Sequence, residues 1–294
     1  MINKICFENG WIRNKSKKIY TDPLLLERAI YAFELLGELI EQNVNFVFKG
    51  GTSLMLLIPE LKRLSIDIDI LQTKSPYSKI IRRPISLPLF EVEKEIVVAV
   101  PTINSLTGDK LTAFAPKTIG ILYGQGKSME IVKQLFDLGI LFEHISDLKE
   151  VNDSYKSTAR LECGYRNIEF DIDKFLNDLI DTSFLICQMD FRASTENDYT
   201  TELKDGIRRV KSHILGGQYS LLRAKEDASK VACLASILKD EPIDIDIREI
   251  RNNRDSADRI KNIVLPEDHH ILNKLKTISP ESFYLWAVAT KGLE

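Results

Sequence analysis

The chain has 294 residues, a net charge of −3, and 44% hydrophobic against 28% charged residues. That length suffices for one large domain or two modest ones, and the charge excludes a globally basic nucleic-acid binder while leaving room for a local basic patch. Cys6, Cys163, Cys187 and Cys233 form no CxxC pair and read as reduced thiols. With only four histidines, two of them adjacent, the chain lacks the raw material for a zinc site or a Ser-His-Asp triad. The polar N-terminus has no signal-peptide core, and no apolar run approaches the roughly 20 residues of a membrane helix. The expectation is a soluble, cytoplasmic protein.

In chain order, the first 20 or so residues read as an irregular, basic lead-in. Asp22-Pro23 then predicts a helix start, with Asp as N-cap and Pro in the first turn. Leu25, Ile30, Phe33, Leu36 and Ile40 give that helix an apolar stripe to about Gln42. Residues 45–49 (NFVFK) predict a short strand, broken by Gly50-Gly51. A short helix follows from Thr52 to near Pro59, and residues 65–71 (SIDIDIL) predict a second strand. Residues 72–84 read as a polar loop carrying Lys74, Lys79, Arg82 and Arg83, a candidate nucleic-acid contact or simply a solvated loop. Strands are expected at 85–90 and 91–100, ending at Pro101. Beyond Ser105 the periodicity is helical, over about 105–114, 127–144, 147–160, 171–190, 197–213, 218–239 and 280–291. The fold class is α+β: a mixed domain over 1–103 and a helical domain over 104–294.

The chemistry concentrates in KGGTSLMLLIPELKRLSIDIDI, residues 49–70. On a strand, Asp67 and Asp69 share a face, about 6.6–6.8 Å apart along it, while the isoleucines face the other way. Two like charges side by side call for a cation. Mg²⁺ (or Mn²⁺) fits because it binds through one or two carboxylates together with substrate phosphates. Gly50 and Gly51 sit where a strand turns into a helix, a place where backbone approaches phosphate and the helix N-terminus favours an anion. Thr52 and Ser53 add hydroxyls, and Lys49 adds charge. The plain alternative is a solvated strand beside an ordinary turn.

The glycine pair followed by D-h-D on a strand is similar to the signature of polymerase-β-like nucleotidyltransferases. KGGTSL with RLSIDIDI resembles, more narrowly, the AbiEii/AbiGii toxin family. Residues 108–120 (GDKLTAFAPKTIG) and 128–142 (SMEIVKQLFDLGILF) look like a second block of that family, so the resemblance covers roughly 23–145. It implies a nucleotidyltransferase-like α/β domain and transfer of a nucleotide from an NTP to an acceptor, RNA or tRNA among the candidates. It also implies a toxin role in a type IV toxin–antitoxin or abortive-infection system, with a separately encoded antitoxin. By the same resemblance Lys110 and Asp137 belong to the active site, with Lys133, four residues before Asp137, as a further nucleotide contact. One departure stands out: Leu87 occupies the place where the family carries a third carboxylate, with Glu91, Glu93 or Asp137 as alternatives. That departure keeps open a weakened enzyme that only binds NTP or RNA, and a transferase acting on protein is a further alternative.

Three other stretches invite misreading. GQGKS (124–128) has Ile121 where a P-loop needs its first glycine. EFDIDKF (169–175) repeats the D-h-D spacing but reads as an acidic helix start. LLRAKEDASKVACL (221–234) reads as a packed helix with Lys225 and Lys230 on a charged outer face, or as a contact to phosphate.

Overall fold

A computed structural model describes residues 1–58, 63–72, 75–254 and 257–292. Among the described residues the fold mixes helix and strand, with helix dominant and the strands in two small two-stranded sheets. It divides into two compact units, Met1–Leu106 with Lys211–Gln218, and Thr107–Val210 with Tyr219–Glu294.

In the first unit the lead-in is not irregular. A 3₁₀ turn (Lys4–Phe7) precedes helix α1 (Asn9–Ile19), which buries Ile12 and Ser16 one turn apart. Two buried positions in a basic stretch were too faint a stripe to announce a helix. Helix α2 (Pro23–Glu41) starts as expected: the Asp22 carboxylate accepts from the Leu24 and Leu25 N–H groups, and Pro23 opens the first turn. Its buried stripe of Leu26, Ile30, Phe33 and Leu36 builds the core. Phe33 meets Phe48 edge-on with centroids 6.4 Å apart and Phe90 at 5.5 Å. Each such ring contributes roughly 1.5–3 kcal/mol by its burial.

Strand β1 (Val47–Lys49) pairs antiparallel with β2 (Asp69–Leu71), placing Lys49 opposite Asp69. Helix α3 (Gly50–Leu57) follows β1 directly. The expected second strand over 65–71 is therefore cut short. Once the chain turns at Gly50, β1 offers residues 65–68 no ladder partner, and none is found among the described residues. Strand β3 (Ile80–Pro84) pairs with β4 (Val97–Pro101). So the end of the expected polar loop is a strand, and the expected strand at 85–90 is not. Pro84 and Pro88 interrupt that apolar run, and its Leu87, Leu89 and Phe90 are buried without laddering. Pro59 and Lys74 lie outside the described residues.

Helix α4 (Ile103–Ala113) spans the change of unit. The second unit continues with α5 (Ser128–Leu141), α6 (Leu148–Arg166), α7 (Ile172–Gln188), α8 (Asp198–Val210) and α9 (Leu221–Lys239). The short α10 (Ile247–Asn253), α11 (Ala257–Ile260) and α12 (Leu275–Ile278) lead to α13 (Pro280–Ala289). Helix α9 is its hub, packed on α5, α7 and α13. Ala224, Ala228, Ala232 and Ala235 let neighbours close in, and Trp286 of α13 donates its indole N–H to the Cys187 Sγ of α7 at 3.2 Å. All four cysteines are free and buried.

The DID at 171–173 behaves as an acidic helix start: Asp171 caps α7, accepting from the Lys174 N–H. Helix α9 does not match its reading. Lys225 and Lys230 are buried, not on an outer face. Lys225 donates to the Met189 carbonyl at 2.6 Å above the Phe191 ring, and Lys230 pairs with Glu143 at 2.5 Å. Among the described residues, no helix is long and apolar enough to cross a membrane.

Candidate functional site

Gly50 is the pivot of the first unit's candidate site. Its φ of +77° is a left-handed conformation that glycine adopts without penalty. A Cβ there would lie 2.0 Å from Asp69 Oδ2, so the missing side chain is what admits the carboxylate. Gly51 is equally constrained by contact: a Cβ would lie 2.4 Å from the Arg63 guanidinium and 3.1 Å from Ser65 Oγ. The two glycines thus seat an acid on one side and a cation on the other.

Asp67 and Asp69 are exposed while Ile66, Ile68 and Ile70 are partly buried, so the alternation predicted for a strand persists where the ladder has ended. The Asp67 segment is held by its backbone, whose carbonyl accepts from Thr52 Oγ1 at 2.6 Å. Ser53 Oγ donates to the Gly50 carbonyl at 2.9 Å. Both hydroxyls are buried with their protons engaged inside the chain. They brace the turn, and donors for an anion come from α3's own backbone, whose start carries no side-chain cap. Lys49, the residue before the helix, is partly buried and opposite Asp69 in the ladder.

Arg63 is the residue the sequence reading left out of the site. It is buried, and its segment is fixed by an antiparallel bridge to Ile214 and by the Leu64 N–H donating to the His213 carbonyl at 3.1 Å. Its signal was present in RLSIDIDI, as an arginine two residues before Ser65 and four before Asp67.

Two exposed carboxylates suit Mg²⁺, which keeps waters and substrate oxygens in its shell and does not need an all-protein cage. Among the described residues no cluster of three or more Asp, Glu, His or Cys could hold a metal. Leu87 is buried, and Glu91 and Glu93 have their backbones tied to the N-terminal segment, so neither glutamate completes such a cluster.

In the second unit, Lys110 in the last turn of α4 and Asp137 on α5 come together: Nζ lies 2.9 Å from Asp137 Oδ2 and 2.8 Å from Gln134 Oε1. The side chains are 5% and 1% exposed, so this is a buried ion pair rather than a surface one. Gly108, two residues earlier, brings α4 hard against α6, since a Cβ there would meet the Tyr155 N at 2.5 Å. Lys133, on α5 one turn before Asp137, is partly buried. The GQGKS stretch is a loop with Gly124 and Gly126 at positive φ; its Ser128 donates to Asp205 at 2.7 Å.

Residues 35–86 match the family model described as the nucleotidyl transferase AbiEii toxin of type IV toxin–antitoxin systems. The matched stretch contains the glycine turn and both aspartates; Lys110 and Asp137 lie beyond it. No curated protein and no solved structure matches the chain.

Proposed function

We propose that the protein is a nucleotidyltransferase with a polymerase-β-like N-terminal region and a helical C-terminal domain, acting as the toxin of a type IV toxin–antitoxin pair. The observation that carries this reading is the Asp69 carboxylate seated against Gly50 at the uncapped start of α3, with Asp67 exposed two residues before it.

In this reading the NTP phosphates lie against the Gly50–Ser53 turn. The α3 backbone N–H groups and the helix dipole stabilise their charge there, and Lys49 and Arg63 stand beside the turn as cations. Asp67 and Asp69 would hold Mg²⁺, which would supply charge neutralisation at the reacting phosphate. The acceptor hydroxyl oxygen bonds to the α-phosphorus, the bond from that phosphorus to the β-phosphate oxygen breaks, and pyrophosphate leaves. The hydroxyl proton passes to solvent or to an aspartate. By the family resemblance, Lys110 and Asp137, paired at 2.9 Å in the second unit, and Lys133 are further candidate residues of the transferase.

The test is incubation with each α-labelled NTP and Mg²⁺ or Mn²⁺, once with total RNA and once with protein lysate. Label in RNA supports an RNA acceptor, and label in protein redirects the proposal to a protein acceptor. A second reading draws on buried Leu87 at the third-carboxylate position: a chain that binds NTP without turning it over. NTP binding by calorimetry, with no pyrophosphate released in either mixture, selects it.

A further inference from the structure

The first unit holds a second feature, apart from the glycine turn and its aspartates. A cleft of about 940 Å³ is lined by Arg13 and Lys17 of α1, Tyr20 and Asp22 of the turn into α2, and Lys211 and Gly217 of the returning segment. Arg13 and Lys17 stand one helical turn apart on one face. The three basic side chains are exposed and, among the described residues, none is engaged in an ion pair. The one carboxylate of the lining, Asp22, is engaged as the cap of α2. A concentration of unpaired positive charge in a chain of net charge −3 is local, and it calls for an anionic partner.

Tyr20 narrows the choice. It caps α1 with φ 52° and ψ 53°, a left-handed conformation unusual for a bulky residue, and its side chain is 80% exposed. The Gly216 N–H donates to the Tyr20 carbonyl, tying that turn to the returning segment. An exposed aromatic beside clustered cations is the arrangement that binds single strands, cations along the backbone and a ring under a base. The volume is roughly thirty times a water's share of about 30 Å³, too large for one phosphate ion. An acidic peptide would satisfy the cations and leave the ring without a base.

The cleft also has a mechanical link to the glycine turn. The segment that supplies Lys211 and Gly217 holds Arg63 in place through Ile214, and Arg63 abuts Gly51. We infer that this cleft binds single-stranded RNA. Its further assignment as the acceptor's docking surface rests on the transferase reading.

The experiment is binding of a labelled single-stranded RNA of about 12 nucleotides by the full chain, without NTP, over a salt series. Three phosphate contacts predict a slope of log K against log salt near −2 for this cleft, from about −0.7 per contact. Substituting all three exposed cations (R13Q, K17Q, K211Q) should lower the slope's magnitude by about 2 while the thermal melt holds. Tyr20→Leu should weaken binding about tenfold at every salt concentration with the slope unchanged, and Lys149→Gln, an exposed lysine outside the cleft, should change neither. No RNA binding by the wild-type chain, an unchanged slope in the triple variant, or equal competition by poly-glutamate would overturn the inference. Because no NTP is present, a failed transfer assay leaves this result standing, and a failed binding assay leaves the transferase test intact.

Discussion

Asp69 places its carboxylate in the space that a side chain on residue 50 would need, 2.0 Å from the ideal Cβ position. The acid, the positive φ and the glycine are therefore one local solution. Gly50→Ala must both strain the backbone and displace the carboxylate. The expected cost is about 1–2 kcal/mol of stability, with NTP affinity lost by calorimetry. An alanine variant that binds NTP as the wild type does would remove the turn from the site.

Asp67→Asn and Asp69→Asn keep shape and remove charge at exposed positions. Stability of Asp67→Asn should stay within about 0.5 kcal/mol, while pyrophosphate release and growth inhibition disappear in both variants. Persistent toxicity in both variants would show that the metal is held elsewhere or is not used.

The Lys110–Asp137 pair separates structure from chemistry. Breaking it by Lys110→Met or Asp137→Leu takes away a buried ion-pair partner at 2.9 Å, at a cost of at most about 3–5 kcal/mol. The double variant, with both charges gone, should recover most of that, less about 1 kcal/mol for the unpartnered Gln134 amide oxygen. Transfer should stay absent in the recovered double variant. Activity returning together with stability would make the pair purely structural.

Asp227 gives a pH signature for the second unit. It is fully buried, and burial pushes its carboxyl up to about 7 against the pull of Arg223, Lys230 and the Tyr219 hydroxyl. Between the unfolded value near 4 and about 7 the folded state holds a proton that the unfolded state has released. Asp227's contribution therefore weakens as pH rises through that window and is flat above it. Denaturant melts of wild type and Asp227→Asn should diverge in the variant's favour from pH 4 to 7, by at most roughly 4 kcal/mol. A constant difference across that range would mean the carboxyl titrates normally.

What the sequence determined is what depends on neighbours in the chain. The Asp22 cap, the Asp171 cap, the glycine break after Lys49 and the in-out alternation of 66–70 are each set within a few residues, and all are found where they were read. What only the tertiary structure decided is what depends on a partner distant in sequence. Residues 65–68 lack a ladder because β1 is short, Arg63 becomes part of the glycine turn through the segment at 213–214, and Lys225 and Lys230 are buried because α9 is enclosed by other helices. Side-chain periodicity records which faces of an element are apolar; it carries no information on what arrives to cover the rest. A lysine's long apolar stem lets it sit at either kind of position, so its burial was settled only by the Met189 carbonyl and Glu143 waiting on the far side.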